Sequence, residues 1–186
     1  TLVLAWPLIL SNLTFALIQA TDVVLMGWLG PRQLAAAALG INLTWSLRFA
    51  AFGEGGPYVA LGQANGTFGA AFVASAEFGH STPAGGWTSN ELYYRELADV
   101  NGDNRDDIVG FGQDGVYVAL GQANGTFAAS QVVSGSFGAG SAAGGWSSQD
   151  TFPRHLADLN NDGFADIVGF GASGVIVALS NPDYWI

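Results

Sequence analysis

Short apolar runs punctuated by glycine organise most of this chain. Asp107-Ile108-Val109-Gly110-Phe111 is apolar enough for a short strand, Gly112-Gln113-Asp114-Gly115 reads as a turn, and Val116-Tyr117-Val118-Ala119-Leu120 gives a second strand. Asn124-Gly125 follows, a two-residue hairpin signal because both turn positions favour positive φ. Residues 126–133 read as a third strand, and the Phe137-Gly138 and Gly144-Gly145-Trp146 region leaves room for a fourth. The same order occurs earlier, with strands at 58–61 and 67–74 around Asn65-Gly66, then Phe78-Gly79 and Gly85-Gly86-Trp87. Residues 52–110 thus recur at 111–169, shifted by 59 positions without an insertion, and a partial third unit covers 170–180. A fixed period of this size implies stacked units, none of which buries its apolar face alone.

Four short strands per unit is the pattern of a β-propeller blade. The expected fold is therefore mainly β, with about two four-stranded blades. Propellers close with roughly 4–8 blades, so this one is incomplete, and its open edges lead us to expect self-association.

The first 48 residues follow a different pattern. Residues 1–30 are apolar with Asp22 as the only charge, long enough for a helix to span a bilayer. There is no basic segment or small-residue cleavage site of a signal peptide. After Gly30-Pro31-Arg32, residues 34–47 read as the start of a second helix, too short for a span before Arg48. The expected organisation is one or two apolar α-helices over residues 1–48, with the lipid bilayer as partner of 1–30, followed by a repeat region over 52–186. The start at Thr1 fits a stretch taken from something larger.

Charge divides the same way. Residues 1–48 carry a net charge of +1, and residues 49–186 hold 14 acids against Arg95, Arg105 and Arg154, a net of −11. An acidic region without lysine cannot displace phosphate counterions, which excludes nucleic acid as a partner. The absence of cysteine excludes disulfides, thiolate metal sites and cysteine nucleophiles.

Each repeat carries one acidic ladder, Asp99-x-Asn101-x-Asp103-x-x-x-Asp107 and Asp158-x-Asn160-x-Asp162-x-x-x-Asp166. Oxygen donors at loop positions 1, 3, 5 and 9, with the backbone carbonyls of Arg105 and Phe164 at position 7, suit calcium. An EF-hand is excluded, since position 12 is Gly110 or Gly169 in place of a bidentate Glu. Position 6 is Asn104 or Gly163, both tolerant of left-handed backbone. Such an ion is expected to staple a blade corner without a catalytic role.

Two matches to G-x-G-x-x-G, at Gly110-Gly112-Gly115 and Gly169-Gly171-Gly174, run on into β sequence where pyrophosphate binding needs a helix, so both read as hairpin turns. The residues suited to a sugar are Trp87 and Trp146, Arg95 and Arg154, Tyr94 and His155. Rings stack on sugar C–H faces, and the polar groups hydrogen-bond hydroxyls. Each Trp equally suits the gap between neighbouring blades. Catalysis lacks support, because His80 and His155 are not repeat-equivalent and no hydroxyl nucleophile sits in an elbow. The Asn-Gly-Thr triplets at Asn65 and Asn124 read as turns and not as glycan acceptors.

Phe-Gly before a strand, and the acidic loop leading into Ile-Val-Gly-Phe-Gly, resemble the FG-GAP or VCBS repeats of integrin-type propellers. With Gly-Gly-Trp and Pro153-Arg154-His155-Leu156-Ala157-Asp158 the resemblance extends to mushroom propeller lectins that bind N-acetylglucosamine, over residues 52–180. It implies a non-enzymatic, calcium-stabilised module with glycans as partners, in an extracytoplasmic or secreted setting. Leu4-Ala5-Trp6-Pro7-Leu8-Ile9-Leu10-Ser11-Asn12, Thr21-Asp22-Val23-Val24-Leu25-Met26-Gly27 and Leu29-Gly30-Pro31 resemble the opening helices of MATE (multidrug and toxic compound extrusion) transporters. That resemblance implies membrane association and a cation-coupling role for Asp22. It also implies an alternative identity, a truncated efflux-transporter fragment fused to structural repeats.

Overall fold

The computed structural model describes residues 48–63 and 65–181. The chain divides between Leu47 and Arg48, and the second unit holds all the described residues. The expected apolar helices and Asp22 lie outside them. Among the described residues no helix is long and apolar enough to cross a membrane.

Three antiparallel sheets make up the described region. The first contains β1 (Arg48–Gly53), β2 (Gly56–Leu61) and β3 (Phe72–Val73) in that order. The second contains β4 (Arg95–Ala98), β5 (Asp107–Phe111), β6 (Val116–Ala119) and β7 (Gln131–Ser134). The third contains β8 (Arg154–Ala157), β9 (Asp166–Gly171) and β10 (Gly174–Ala178), with β9 in the middle. The described residues therefore form one complete four-stranded blade between two three-stranded sheets.

Both glycine-rich motifs are hairpin turns, as their sequence context requires. Phe111 pairs with Val116, the Gly112 amide donates to the Gly115 carbonyl at 2.8 Å, and Gly171 pairs with Gly174. At Asn124-Gly125 the turn is wider than expected. Only Gly125 has positive φ (86°), and the Gln122 amide reaches the Thr126 carbonyl at 2.8 Å while Asn124 Oδ1 accepts the Thr126 amide. The third strand then starts late, at Gln131, after a lone bridge between Gly121 and Phe127.

The fourth strand is not where the apolar pattern put it. Residues 135–153 form an extended loop with one 3-10 turn, Ser141–Ala143, closed by Gly144 at φ 105°. The strand is instead Arg95–Ala98, repeated as Arg154–Ala157, just before each acidic loop. Its sequence, Arg-Glu-Leu-Ala, has only two apolar side chains and so gives a weak strand signal.

Alternation along β5 produces the cores. Ile108 faces the first sheet with Val59, Ala119, Phe78 and Trp87, while Val109 and Phe111 face the third sheet with Val116, Val118, Phe137 and Trp146. Burying both faces of a strand explains its continuous apolar run. The far face of the third sheet repeats that second pattern with nothing over it among the described residues. Phe170, Val175 and Val177 are 46%, 60% and 47% exposed, whereas their equivalents Phe111, Val116 and Val118 are at most 3% exposed.

Candidate functional site

In the first acidic loop, backbone amides surround the carboxylates. Asp99 accepts from the amides of Asn101, Gly102 and Asp103 on Oδ1 and from Asn104 at 2.7 Å on Oδ2. Gly102 and Asn104 take φ of 76° and 61°, which turns these amides inward. Asp103 accepts from Asn101 Nδ2 at 3.2 Å and pairs with the Arg105 guanidinium. The second loop repeats this around Asp158, Asn160 and Asp162, with Gly163 at φ 91° and no arginine, since Phe164 replaces Arg105. Among the described residues no group of three or more His, Asp or Glu side chains is arranged to hold a metal ion.

Asp107 and Asp166 behave differently from the rest of their ladders. Asp107 is fully buried, and its two oxygens accept the Val100 amide at 3.0 Å and the Gly121 amide at 2.7 Å. Asp166 does the same with Leu159 at 2.9 Å and Ser180 at 2.8 Å. Each clamps the start of its loop to the end of the neighbouring strand, satisfying amides that have no strand partner. Burial pushes the Asp107 carboxyl up to about 6; the two amides oppose the rise, and the charges of Asp103 and Asp99 add to it.

The aromatic residues build a second constellation between sheets. Trp87 is 8% exposed, 5.0 Å from Phe78 and edge-on to Tyr93 and Tyr117 at 6.0 and 5.8 Å. Trp146 repeats this with Phe137 at 5.3 Å and Phe152 at 6.4 Å. Both tryptophans therefore fill the seam between sheets, and each also forms the back wall of a pocket. The pocket at Trp87, of about 280 Å³, adds Glu77, Tyr93, Gln113, Tyr117 and Ser130 to its lining. The Tyr93 hydroxyl donates to Gln113 Oε1 at 3.3 Å, and Glu77 Oε2 accepts the Ser130 amide at 2.7 Å. The pocket at Trp146 holds about 660 Å³.

Neither arginine lines these pockets. Arg154 is fully buried, its Nη1 donating to the Phe137 carbonyl at 3.1 Å and its guanidinium over the Phe111 ring at 5.2 Å. Its Nη2 is buried without a hydrogen-bond partner. Burial holds its pKa down to about 10, with Glu91 opposing the shift. Arg95 repeats the arrangement with the Phe78 carbonyl and the Phe52 ring at 4.7 Å, and burial lowers its pKa as well. Each arginine braces a Phe carbonyl where that Phe has a φ near 60°, an uncommon backbone for a bulky residue. Tyr94 stacks on Phe111 at 6.1 Å and meets the exposed His155 edge-on at 6.2 Å. Burial and the neighbouring Glu96 push the Tyr94 hydroxyl up.

Of the sequence-derived sugar residues, Trp87 and Trp146 line these two pockets and Tyr94, Arg95, Arg154 and His155 do not. Glu77, Tyr93, Gln113 and Tyr117 were missed because no motif marks them. The available signal was divergence between the repeats at four otherwise aligned positions, where Ser136, Phe152, Ala172 and Ile176 stand instead.

Comparison with known proteins matches two separate stretches of the chain to different families. Residues 99–169 match the family model described as FG-GAP-like repeat, and residues 7–67 match that described as MatE. The second match runs into β1 and β2. Over 43 residues, 23% of the chain, the sequence is 58% identical to a probable multidrug resistance protein NorM of Mesorhizobium japonicum, of which it spans 9%. Among solved structures it is similar to a lectin of Agrocybe aegerita, described as the basis of specific recognition of non-reducing terminal N-acetylglucosamine. The TM-score is 0.63 at 40% identity, covering 73% of this chain and 35% of that one. This chain is therefore similar to FG-GAP-like repeats and a propeller lectin over its β region, and to MatE transporters over its N-terminal segment.

Proposed function

We propose that the repeat region is a non-enzymatic carbohydrate-binding module of lectin type, holding its sugar in the pocket at Trp87. The observation that carries this reading is the lining of that pocket: aromatic rings together with a carboxylate, an amide and hydroxyls. Rings supply apolar contact for sugar C–H faces, and the polar groups supply orientation, the usual division of labour in a small-molecule site. The similarity to a lectin supports the same class of ligand. Titration calorimetry of the full chain with N-acetylglucosamine tests it. Saturable heat that a galactose control does not give is expected, and no heat with either sugar would overturn it.

Calcium is the structural ion we propose for the acidic loops. Support comes from donor chemistry, since Asp99, Asn101 and Asp103 and their counterparts repeat at the positions a hard cation needs. Asp107 and Asp166 are occupied with backbone amides, and Asp103 would exchange Arg105 for the ion. Melting with calcium and with chelator decides the matter. An unchanged transition would leave the loops as self-satisfied turns.

The similarity to MatE and NorM supports membrane association of the N-terminal segment. A coupling role for Asp22, and the transporter-fragment reading as a whole, rest on that similarity alone.

A further inference from the structure

The two pockets are repeats of one another, yet they differ in chemistry. Phe78, Gly85, Gly86, Trp87 and Gly112 of the first return as Phe137, Gly144, Gly145, Trp146 and Gly171 of the second. The four longer polar groups do not return. At the same shift of 59 residues, Glu77 becomes Ser136, Tyr93 becomes Phe152, Gln113 becomes Ala172 and Tyr117 becomes Ile176. Thus the second pocket keeps the aromatic back wall and loses the carboxylate, the amide and both phenols.

We propose that the pockets have diverged in function, so that the chain binds one sugar in the pocket at Trp87, where Glu77 is the specificity-determining residue. This rests on the lectin reading given above and adds to it a stoichiometry and a selection rule. Against Phe152, Ala172 and Ile176 a ligand hydroxyl meets no partner, and the polar side chains the second pocket keeps are the short hydroxyls of Ser134, Ser136, Ser141 and Ser173, with no carboxylate or amide among them. An unmade hydrogen bond is costly in a confined site. At the Trp87 pocket the Glu77 carboxylate is an acceptor without a proton to donate. Its Oε2 is held by the Ser130 amide at 2.7 Å, which fixes the direction of the whole group. An ionised acceptor favours neutral, hydroxyl-bearing sugars and repels carboxylated ones. A site built to hydrogen-bond its ligand discriminates far more steeply than an apolar slot.

Calorimetry on the full chain with N-acetylglucosamine and, separately, with N-acetylneuraminic acid tests the assignment. One site per chain is expected for the neutral sugar and no heat for the acidic one. Glu77→Gln and Gln113→Ala should each weaken binding at least tenfold, with Ser136→Ala unchanged. Gln113 is exposed, so its variant keeps the test valid if the Glu77 change disturbs folding, which a melting curve would reveal. Two sites per chain, comparable binding of both sugars, or undiminished affinity in both variants would overturn the divergence while leaving the lectin reading intact. No binding of N-acetylglucosamine by the unaltered chain would remove both.

Discussion

Gly110 lies against the indole of Trp87: a methyl group on its α-carbon would stand 2.5 Å from Cη2 of that ring and 2.8 Å from Phe78. Gly169 has the same relation to Trp146, at 2.5 Å. The absence of a side chain in the middle of β5 and β9 is what lets each tryptophan sink into its seam. Gly110→Ala should therefore destabilise the protein by about 1–3 kcal/mol through overpacking, measured by chemical denaturation. Gly169→Ala should cost less, because the ring at Trp146 borders the larger pocket and has room to shift.

Replacing the clamp carboxylate should have a different signature. In Asp107→Asn an NH₂ group would face one of two buried amides, the Val100 or the Gly121 N–H, at a cost of about 1–3 kcal/mol for the unsatisfied donor. Urea midpoints would show the loss.

The same residue predicts an unusual pH dependence. Its carboxyl is raised from 3.8 to about 6 in the fold, so between these values the folded state binds the proton that the unfolded state has released. Its contribution to stability is thus present at low pH and falls as pH rises from about 4 to 6. In chelator-containing buffer, Asp107→Asn should remove that component, visible as the difference between the two stability–pH profiles.

Arg154→Lys should be destabilising even though the charge is kept. Lysine cannot hold Gln149 Oε1 and the Phe137 carbonyl together, as Nε and Nη1 do at 3.2 and 3.1 Å, nor lie flat over Phe111. A loss of about 1–3 kcal/mol is expected for the released buried acceptor, read from thermal or urea melts.

If calcium occupies the loops, Asp103→Asn should weaken binding at the first loop and leave the second unaffected. The two loops share no ligand, so a two-site isotherm would lose one phase.

Much of the β architecture was legible because its signals are local. Hairpin glycines, the acidic loop and the apolar runs of β5 and β6 each mark their own position. What escaped was β4, whose Arg-Glu-Leu-Ala sequence is a strand only through its pairing with β5, from Arg95 opposite Gly110 to Ala98 opposite Asp107. The glycines and aromatics of 135–153 mimic strand residues but form a loop that packs Phe137 and Trp146 between sheets. In the candidate site the tryptophans were readable from repetition, whereas Glu77 and Gln113 are distant in sequence and meet only through the stacking of two sheets. Asp107 shows a further gap: a ladder specifies which oxygens are present, not which of them the backbone has already claimed.

The side of the third sheet that no described residue covers bears on how the molecule comes apart. The middle sheet is sandwiched, so releasing its amides to solvent means first dislodging a neighbour. Among the described residues β10 has no such neighbour over Val175 and Val177, so in this chain it is expected to open before the middle sheet. Deuterium uptake should therefore advance from β10 through β9 toward β5, with loosening of the molecule graded along the stack instead of abrupt.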